Sequence, residues 1–301
     1  MMTDTPFSFD KGESLWRQRV GDYFSRPSAV IVFILLVGLL FIAIFAPWIA
    51  PQNPYDLSQL DIMDGRLPPG SKAMNGMVFW LGTDEQGRDM LSAILYGLRI
   101  SLFVGVVSTV CACAIGASIG VFAAYKGGKV ETFVMRLVDL QLSFPAILIA
   151  LVLLAAFGRG IDKVIIALII VQWAYYARTV RGNALVERNR DYMEAARCLA
   201  LPRSRILFNH LLPNCLPPLI VVATVQVAHA IALEATLSFL GVGVPVTEPS
   251  LGMLIKNGYD YLMSGKYWIS TWPGLALVLA IVVINLVGDR LRDVLNPRLA
   301  K

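Results

Sequence analysis

The chain has 301 residues, of which 56% are hydrophobic and only 16% charged, against roughly 25% charged in ordinary soluble domains. That much apolar surface exceeds what one soluble core can absorb, so lipid is read as its main solvent. The net charge of +5 would suit nucleic acid, but Lys and Arg sit in the loops between apolar runs, mostly on alternate sides, which speaks against that class.

Uncharged apolar stretches run from Ala29 to Ala50, Ile100 to Tyr125, Leu140 to Gly158, Val164 to Ala177, Leu216 to Leu233 and Trp272 to Gly288. Each is near the length a helical span needs. The expected fold is therefore all-α and polytopic, with six membrane helices and both termini on one side. Residues 1–28 form an N-terminal segment, 29–50 the first span, 51–99 a loop, 100–288 a core of five spans, and 289–301 a tail. The fourth span is the shortest, and must borrow the turn at Ile161 or the stem of Arg178 to cross.

Asp4, Asp10, Glu13 and Asp22 precede the first span, and Pro51 follows Ala46 and Ala50 at its small-residue end. Both features disfavour a cleaved signal, so the run is read as an anchor. Ser14 to Phe24 places Leu15, Trp16, Val20, Tyr23 and Phe24 at near-helical spacing, as in an interfacial amphipathic helix. In the first long loop, Thr83 with Gln86 reads as a capping box. Asp84 and Glu85 suit the start of a helix whose oily face is Met90, Leu91, Ile94, Leu95 and Leu98.

Orientation follows from the basic residues. Loops on the side of the termini hold 18 Lys and Arg, and those on the other side hold 8, which places the termini in the cytosol. The four cysteines, Cys111, Cys113, Cys198 and Cys215, lack a disulfide or ligand spacing and are read as thiols.

The loop 178–214 leaves the membrane for nearly forty residues, carries seven Arg and still keeps helical periodicity. Its centre reads EAARCLALPRSRILFNHLLP, from Glu194 to Pro213. The pattern predicts a short helix, a turn at Ala200 to Pro202, and a second helix starting near Pro202, where proline suits the first turn. The spacing resembles the coupling motif of ABC importer permeases: Glu-Ala-Ala, three residues, Gly, nine residues, then Ile-x-Leu-Pro. Glu194, Ala195 and Ala196 match it, as do Leu212 and Pro213. Ala200 stands where the glycine is expected and His210 where the isoleucine is. A left-handed turn at Ala200 costs on the order of 1 kcal/mol for a residue with a Cβ. The resemblance implies that Ala195 and Ala196 seat the helix in a groove on an ATPase subunit, with Glu194, Arg197 and Arg203 fixing its register.

Four further blocks resemble the C-type permease subunit of the dipeptide, oligopeptide and nickel family of type I ABC importers. They are LGTDEQGRDMLSAILYGLRISL (Leu81 to Leu102), YKGGKVETFVMRLVDLQLSFP (Tyr125 to Pro145), LEATLSFLGVGVPVTEPSLGMLI (Leu233 to Ile255) and NLVGDRLRDVLNPR (Asn285 to Arg298). Leu251 replaces a usual tryptophan and Asn296 a common aspartate. The resemblance implies a type I permease fold in a bacterial inner membrane, forming half of a heterodimeric pore. The implied partners are a second permease subunit, two cytosolic ATPases and an extracytoplasmic binding protein that delivers the solute. Short peptides are the implied cargo, with nickel, opine-like compounds, modified sugars and antimicrobial peptides as alternatives.

No G-x-x-x-x-G-K followed by Ser or Thr occurs, so ATP and Mg are expected to be used by the partners, and this chain is expected to bind no cofactor and catalyse nothing. An ion-coupled carrier should hold paired charges at mid-membrane, and a membrane enzyme a cluster of catalytic side chains; neither pattern is present. The polar candidates for a pore or outer gate are Gln226, His229 and Glu234. Glu234 lies about 27 Å along its helix from Leu216, at the rim. It is read either as attracting the ammonium end of a peptide or as contacting the outer-loop helix. His229 has no ligand partners and is read as a packed or pore-edge side chain rather than a metal ligand. Gln172, Gln226 and Asn285 either line a wet path or bond between helices. Gly116 and Gly120 suit close helix packing, internal or with the partner permease. Pro145, Pro217 and Pro218 are read either as bends or as simple helix starts.

Overall fold

The computed structural model describes residues 21–73, 76–245 and 247–295. Of the expected interfacial helix, residues 21–24 are helical and 14–20 lie outside the described residues. Helix α1, Pro27–Ile44, starts with proline in its first turn, where a missing N–H leaves no bond unmade. A break at Phe45 separates it from the single turn α2, Ala46–Ile49. The following loop contains two 3-10 turns, Leu57–Gln59 and Ile62–Asp64. It also carries an antiparallel pair of short strands, β1 Ser71–Lys72 and β2 Val78–Phe79, with Ser71 opposite Phe79.

Helix α3, Met90–Lys126, is 37 residues long, about 55 Å at 1.5 Å per residue. It merges the expected outer-loop helix and second span into one element, because nothing between Leu98 and Ile100 interrupts the hydrogen-bond ladder. The expected capping box at Thr83 is also corrected. The Thr83 hydroxyl donates to the Asp64 carbonyl at 2.6 Å and accepts from the Leu67 amide at 2.7 Å. Asp89 caps the helix instead, accepting from the Ser92 amide at 2.8 Å and the Ser92 hydroxyl at 2.6 Å.

The third expected span, Leu140 to Gly158, is not one helix. Helix α4, Gly128–Leu142, and the 12-residue α5, Ala146–Phe157, meet at 89°. Pro145 sits at the N-cap of α5, where it has no N–H to continue α4. The Gln141 side chain, donating to the carbonyls of Ile170 and Val171, pins the corner to the next helix. Pro145 is therefore at a bend.

Helix α6, Ile161–Glu187, begins at the turn the sequence suggested and runs nine residues past Arg178. Arg178 pairs with Asp139, and Arg181 with Glu131 at 2.5 Å, so these cations brace α6 against α4. Helix α7, Asp191–Cys198, follows a short turn. Next come one α-helical turn at Arg203–Arg205, a π-helix at Ile206–Leu211, and helix α8, Leu212–Phe239. Together they make a continuous 37-residue helix, Arg203–Phe239. Pro217 and Pro218 lie inside it, so they are not helix starts. Helix α9, Leu251–Tyr259, is capped by the Ser250 hydroxyl, and α10, Trp268–Leu295, closes the bundle.

Among the described residues five helices are long and apolar enough to cross a membrane, and the bent α4–α5 pair brings the number to six. The α3–α6 pair forms the spine. A Cβ on Gly116 would collide with the Trp173 carbonyl, and one on Gly120 would come within 2.5 Å of the Ala177 carbonyl. The small-residue pair is therefore used inside the subunit, where it brings two helix backbones together. At the end opposite the long loop, Arg290 of α10 donates to the carbonyls of Tyr23 and Asp22 at 3.3 and 2.5 Å. That contact ties the last helix to the entry of the first.

Candidate coupling site

The segment that leaves the bundle is assembled from α6, α7 and the start of the 203–239 helix. Helix α6 ends at Glu187, and Arg188 donates to the Ala124 carbonyl at 2.8 Å, fastening this end to the foot of α3. Helix α7 has Asp191 and Glu194 in its first turn and Arg197 in its last, a distribution that complements the helix dipole. Its inward face is Met193 and Ala196, three residues apart. They pack with Ile206, Leu211 and Cys215 in a buried cluster that reaches Tyr176 and Val180 of α6.

Helix α7 ends in a Schellman turn. The Ala200 amide donates to the Arg197 carbonyl at 2.9 Å, and the Leu201 amide to the Ala196 carbonyl at 3.2 Å. Ala200 takes the left-handed conformation with φ +51°, so the turn made elsewhere by glycine is kept with alanine, at the steric cost a Cβ carries there. Pro202 then provides the extended N-cap of the next helix.

Of the residues singled out from sequence, Glu194, Ala195, Arg197, Ala200, Arg203 and Pro213 are exposed. Leu212 is half-buried and Ala196 is 5% exposed. The expectation that both alanines of Glu-Ala-Ala face a partner is thus corrected. Ala195 faces outward, whereas Ala196 is small because it packs against its own chain and receives the Leu201 amide. The outward face instead carries Leu199, 73% exposed. Cys198 beside it is an exposed free thiol, and Cys111, Cys113 and Cys215 are free as well.

Sequence reasoning missed the joint at the base of α7. The Tyr192 hydroxyl donates to the Glu187 carboxylate at 2.8 Å and accepts from the Asn214 amide at 3.2 Å, linking α6, α7 and α8 through one oxygen. Asn214 also donates to the His210 carbonyl, at 2.7 Å, in the π-helix. Loss of water around this phenol, followed by the Glu187 carboxylate that accepts its proton, pushes the Tyr192 pKa up to about 12. The one available signal was a tyrosine two residues ahead of Glu194, on the face turned toward the bundle.

The three pore candidates are not on one surface. Glu234 is wholly buried, receiving the hydroxyls of Ser101 at 2.7 Å and Ser238 at 2.8 Å, with Ser250 of the α9 cap beside it. This is the contact with the outer-loop helix, and it leaves no surface on Glu234 for a solute. Gln226 is buried, 8% exposed, whereas His229 is exposed. Gln172 is buried and bonds to Thr109 at 3.3 Å, joining α6 to α3.

Comparison with known proteins agrees with this architecture. A family profile described as binding-protein-dependent transport system inner membrane component matches residues 116–301. A second, described as the N-terminal TM domain of oligopeptide transport permease C, matches residues 14–69. The chain is 42% identical to the dipeptide transport system permease protein DppC of Escherichia coli over 284 residues, 94% of this chain and 93% of that one. It is 36% identical to the Haemophilus influenzae protein of the same name, over 99% of both chains. The di/tripeptide transport system permease protein DppC of Pseudomonas aeruginosa is 38% identical over 89% of this chain and 87% of its own length. A solved structure described as inward facing conformations of the MetNI methionine ABC transporter superposes with a TM-score of 0.57 at 24% identity. It covers 69% of this chain and 98% of that one, a likeness of fold. With one profile spanning most of the core and relatives alike over nearly the whole length, the chain belongs to the family of binding-protein-dependent transport system inner membrane components.

Proposed function

We propose that this permease subunit carries di- and oligopeptides inward as half of a heterodimeric pore, moved by two cytosolic ATPases that dock on α7. The observation that carries the coupling role is the division of α7 into two faces. Met193 and Ala196 lock it to the bundle, while Glu194, Ala195, Arg197 and Leu199 are exposed. A force applied to these exposed residues reaches α6 and α8 through Tyr192 and the buried cluster. The peptide cargo is supported by the names of the relatives, which describe dipeptide and di/tripeptide systems. ATP and Mg are used by the ATPase partners, an extracytoplasmic binding protein supplies the solute, and no catalytic step is assigned to this chain.

The test is co-purification with the two ATPases and the second permease in lipid, followed by ATP hydrolysis with the binding protein and candidate solutes. Stimulation by dipeptides or short oligopeptides is expected; stimulation by nickel or a modified sugar alone would replace the cargo. Orientation is read from Cys198. A membrane-impermeant maleimide should reach it in inside-out vesicles and not in intact cells, with Cys198→Ser as the blank. The reverse pattern would put α7 on the wrong side for an ATPase.

A further inference from the structure

Between α1 and the loop-side half of α3 lies a cavity of about 500 Å³. Its walls are hydrocarbon, with Leu40 and Ile44 of α1 facing Phe103 and Val107 of α3. Arg99, Tyr55 and Tyr96 complete its lining with polar tips. The Tyr55 ring lies edge-on to Tyr96, 5.4 Å between centroids, which fixes one side of that lining.

Arg99 is exposed and forms no ion pair with a carboxylate among the described residues. It is also the last charge before the uncharged run that begins at Ile100. From Arg99 to Val107 the helix rises about 12 Å, so the cation sits over the top of an oily slot that descends into the bilayer. Tyrosine and arginine at the end of a span mark headgroup depth, and a guanidinium there binds a phosphodiester with two parallel donors. The slot beneath has the chemistry of an alkyl chain. Charge above and hydrocarbon below are complementary to one molecule that carries both.

We propose that this cavity is a specific site for an anionic phospholipid of the leaflet on the long-loop side, with its phosphate on Arg99 and one acyl chain between α1 and α3. Bound there, the lipid holds α1 to the core where few protein contacts do so. Only Ala29, Leu39 and Ala43 of that helix are buried by the chain itself.

The test uses the assembled transporter in nanodiscs containing a phosphatidylglycerol with a diazirine on its acyl chain. Labelling is expected in the peptides around residues 40–44 and 103–107. Arg99→Gln should lower it about 10-fold, the loss expected for a charge-assisted bond, whereas Arg99→Lys should keep most of it. Ala43→Trp, which fills the slot with Arg99 intact, should also abolish labelling. A diacylglycerol probe without phosphate should label wild type and Arg99→Gln alike and weakly. Equal phosphatidylglycerol labelling of wild type and both loss variants would overturn the proposal. So would cross-links placing a segment of the partner permease over Leu40 and Phe103 in the assembled complex.

Discussion

At the long-loop end of the molecule, several polar groups are buried and bonded to one another, with Arg88 Nη2 and Asp89 Oδ1 left unpartnered. At the opposite end, the segment carrying Glu194 touches the bundle through one face only. Asp84 and Arg88 are almost fully buried and joined at 2.6 Å. The Asp89 amide donates to the Gln52 side-chain oxygen at 2.6 Å, and Trp268 donates to the Thr83 carbonyl at 3.2 Å. The LGTDEQGRD block thus fastens the loop to α3 and α10. By contrast, α7 buries two side chains and is otherwise held by the Tyr192 phenol and a long bond from Arg197 to the Arg188 carbonyl. Interactions without exposed alternatives make a fixed frame, and a helix with one buried face can tilt without unfolding its neighbours. The contrast separates a part of the subunit held on several sides from a part held on one, which is what the proposed coupling role requires.

The sharpest way to break the frame is Arg88→Ala. It leaves the Asp84 carboxylate buried without its cation, at a cost of about 3–5 kcal/mol. The expected result is a large fall in the thermal unfolding midpoint of the purified complex. Next in size is Gly120→Val, where added carbons meet the Ala177 backbone and cost about 1–3 kcal/mol. That variant should loosen the α3–α6 spine, measured by the same melt. Tyr192→Phe removes two hydrogen bonds worth about 0.5–1.5 kcal/mol each. It should leave ATP hydrolysis near normal while lowering solute moved per ATP; an unchanged ratio would show that the joint carries no force. Ala200→Gly relieves the left-handed turn by about 1 kcal/mol and should leave transport intact. Abolished transport with normal expression would mean that the turn is not read correctly.

The smallest effect is one of pH. Because the Tyr192 pKa is raised to about 12 in the fold, above the ordinary tyrosine value near 10, the folded state prefers the protonated phenol. Its contribution is complete below pH 10 and is lost as pH climbs through 12. The difference in melting midpoint between wild type and Tyr192→Phe should shrink over that interval and stay constant below it.

The number of spans was legible because uncharged apolar runs report burial in lipid directly, and the helix–turn–helix around Ala200 was legible because its spacing resembles a known motif. The break at Ser143 to Pro145 was not, since the apolar run continues across it and hydropathy carries no information about direction. The capping assignment failed because Thr83-x-x-Gln86 and Asp89-x-x-Ser92 both fit a helix start. Only the tertiary partners of Thr83, at Asp64 and Leu67, decide between them. For Ala196 the motif reported a small residue without reporting the side that needed it small. Glu234 lies near the C-terminal end of α8. Of its three serines, Ser238 is one turn along the same helix, whereas Ser101 and Ser250 come from distant segments that no local pattern joins.

The sharp corner after Leu142 has a consequence for how far this element reaches across a bilayer. Helix α5 has 12 residues, about 18 Å of rise, against a hydrocarbon layer of about 30 Å. Standing upright, it covers little more than half of that depth, and the 89° turn keeps α4 from supplying the rest along the same axis.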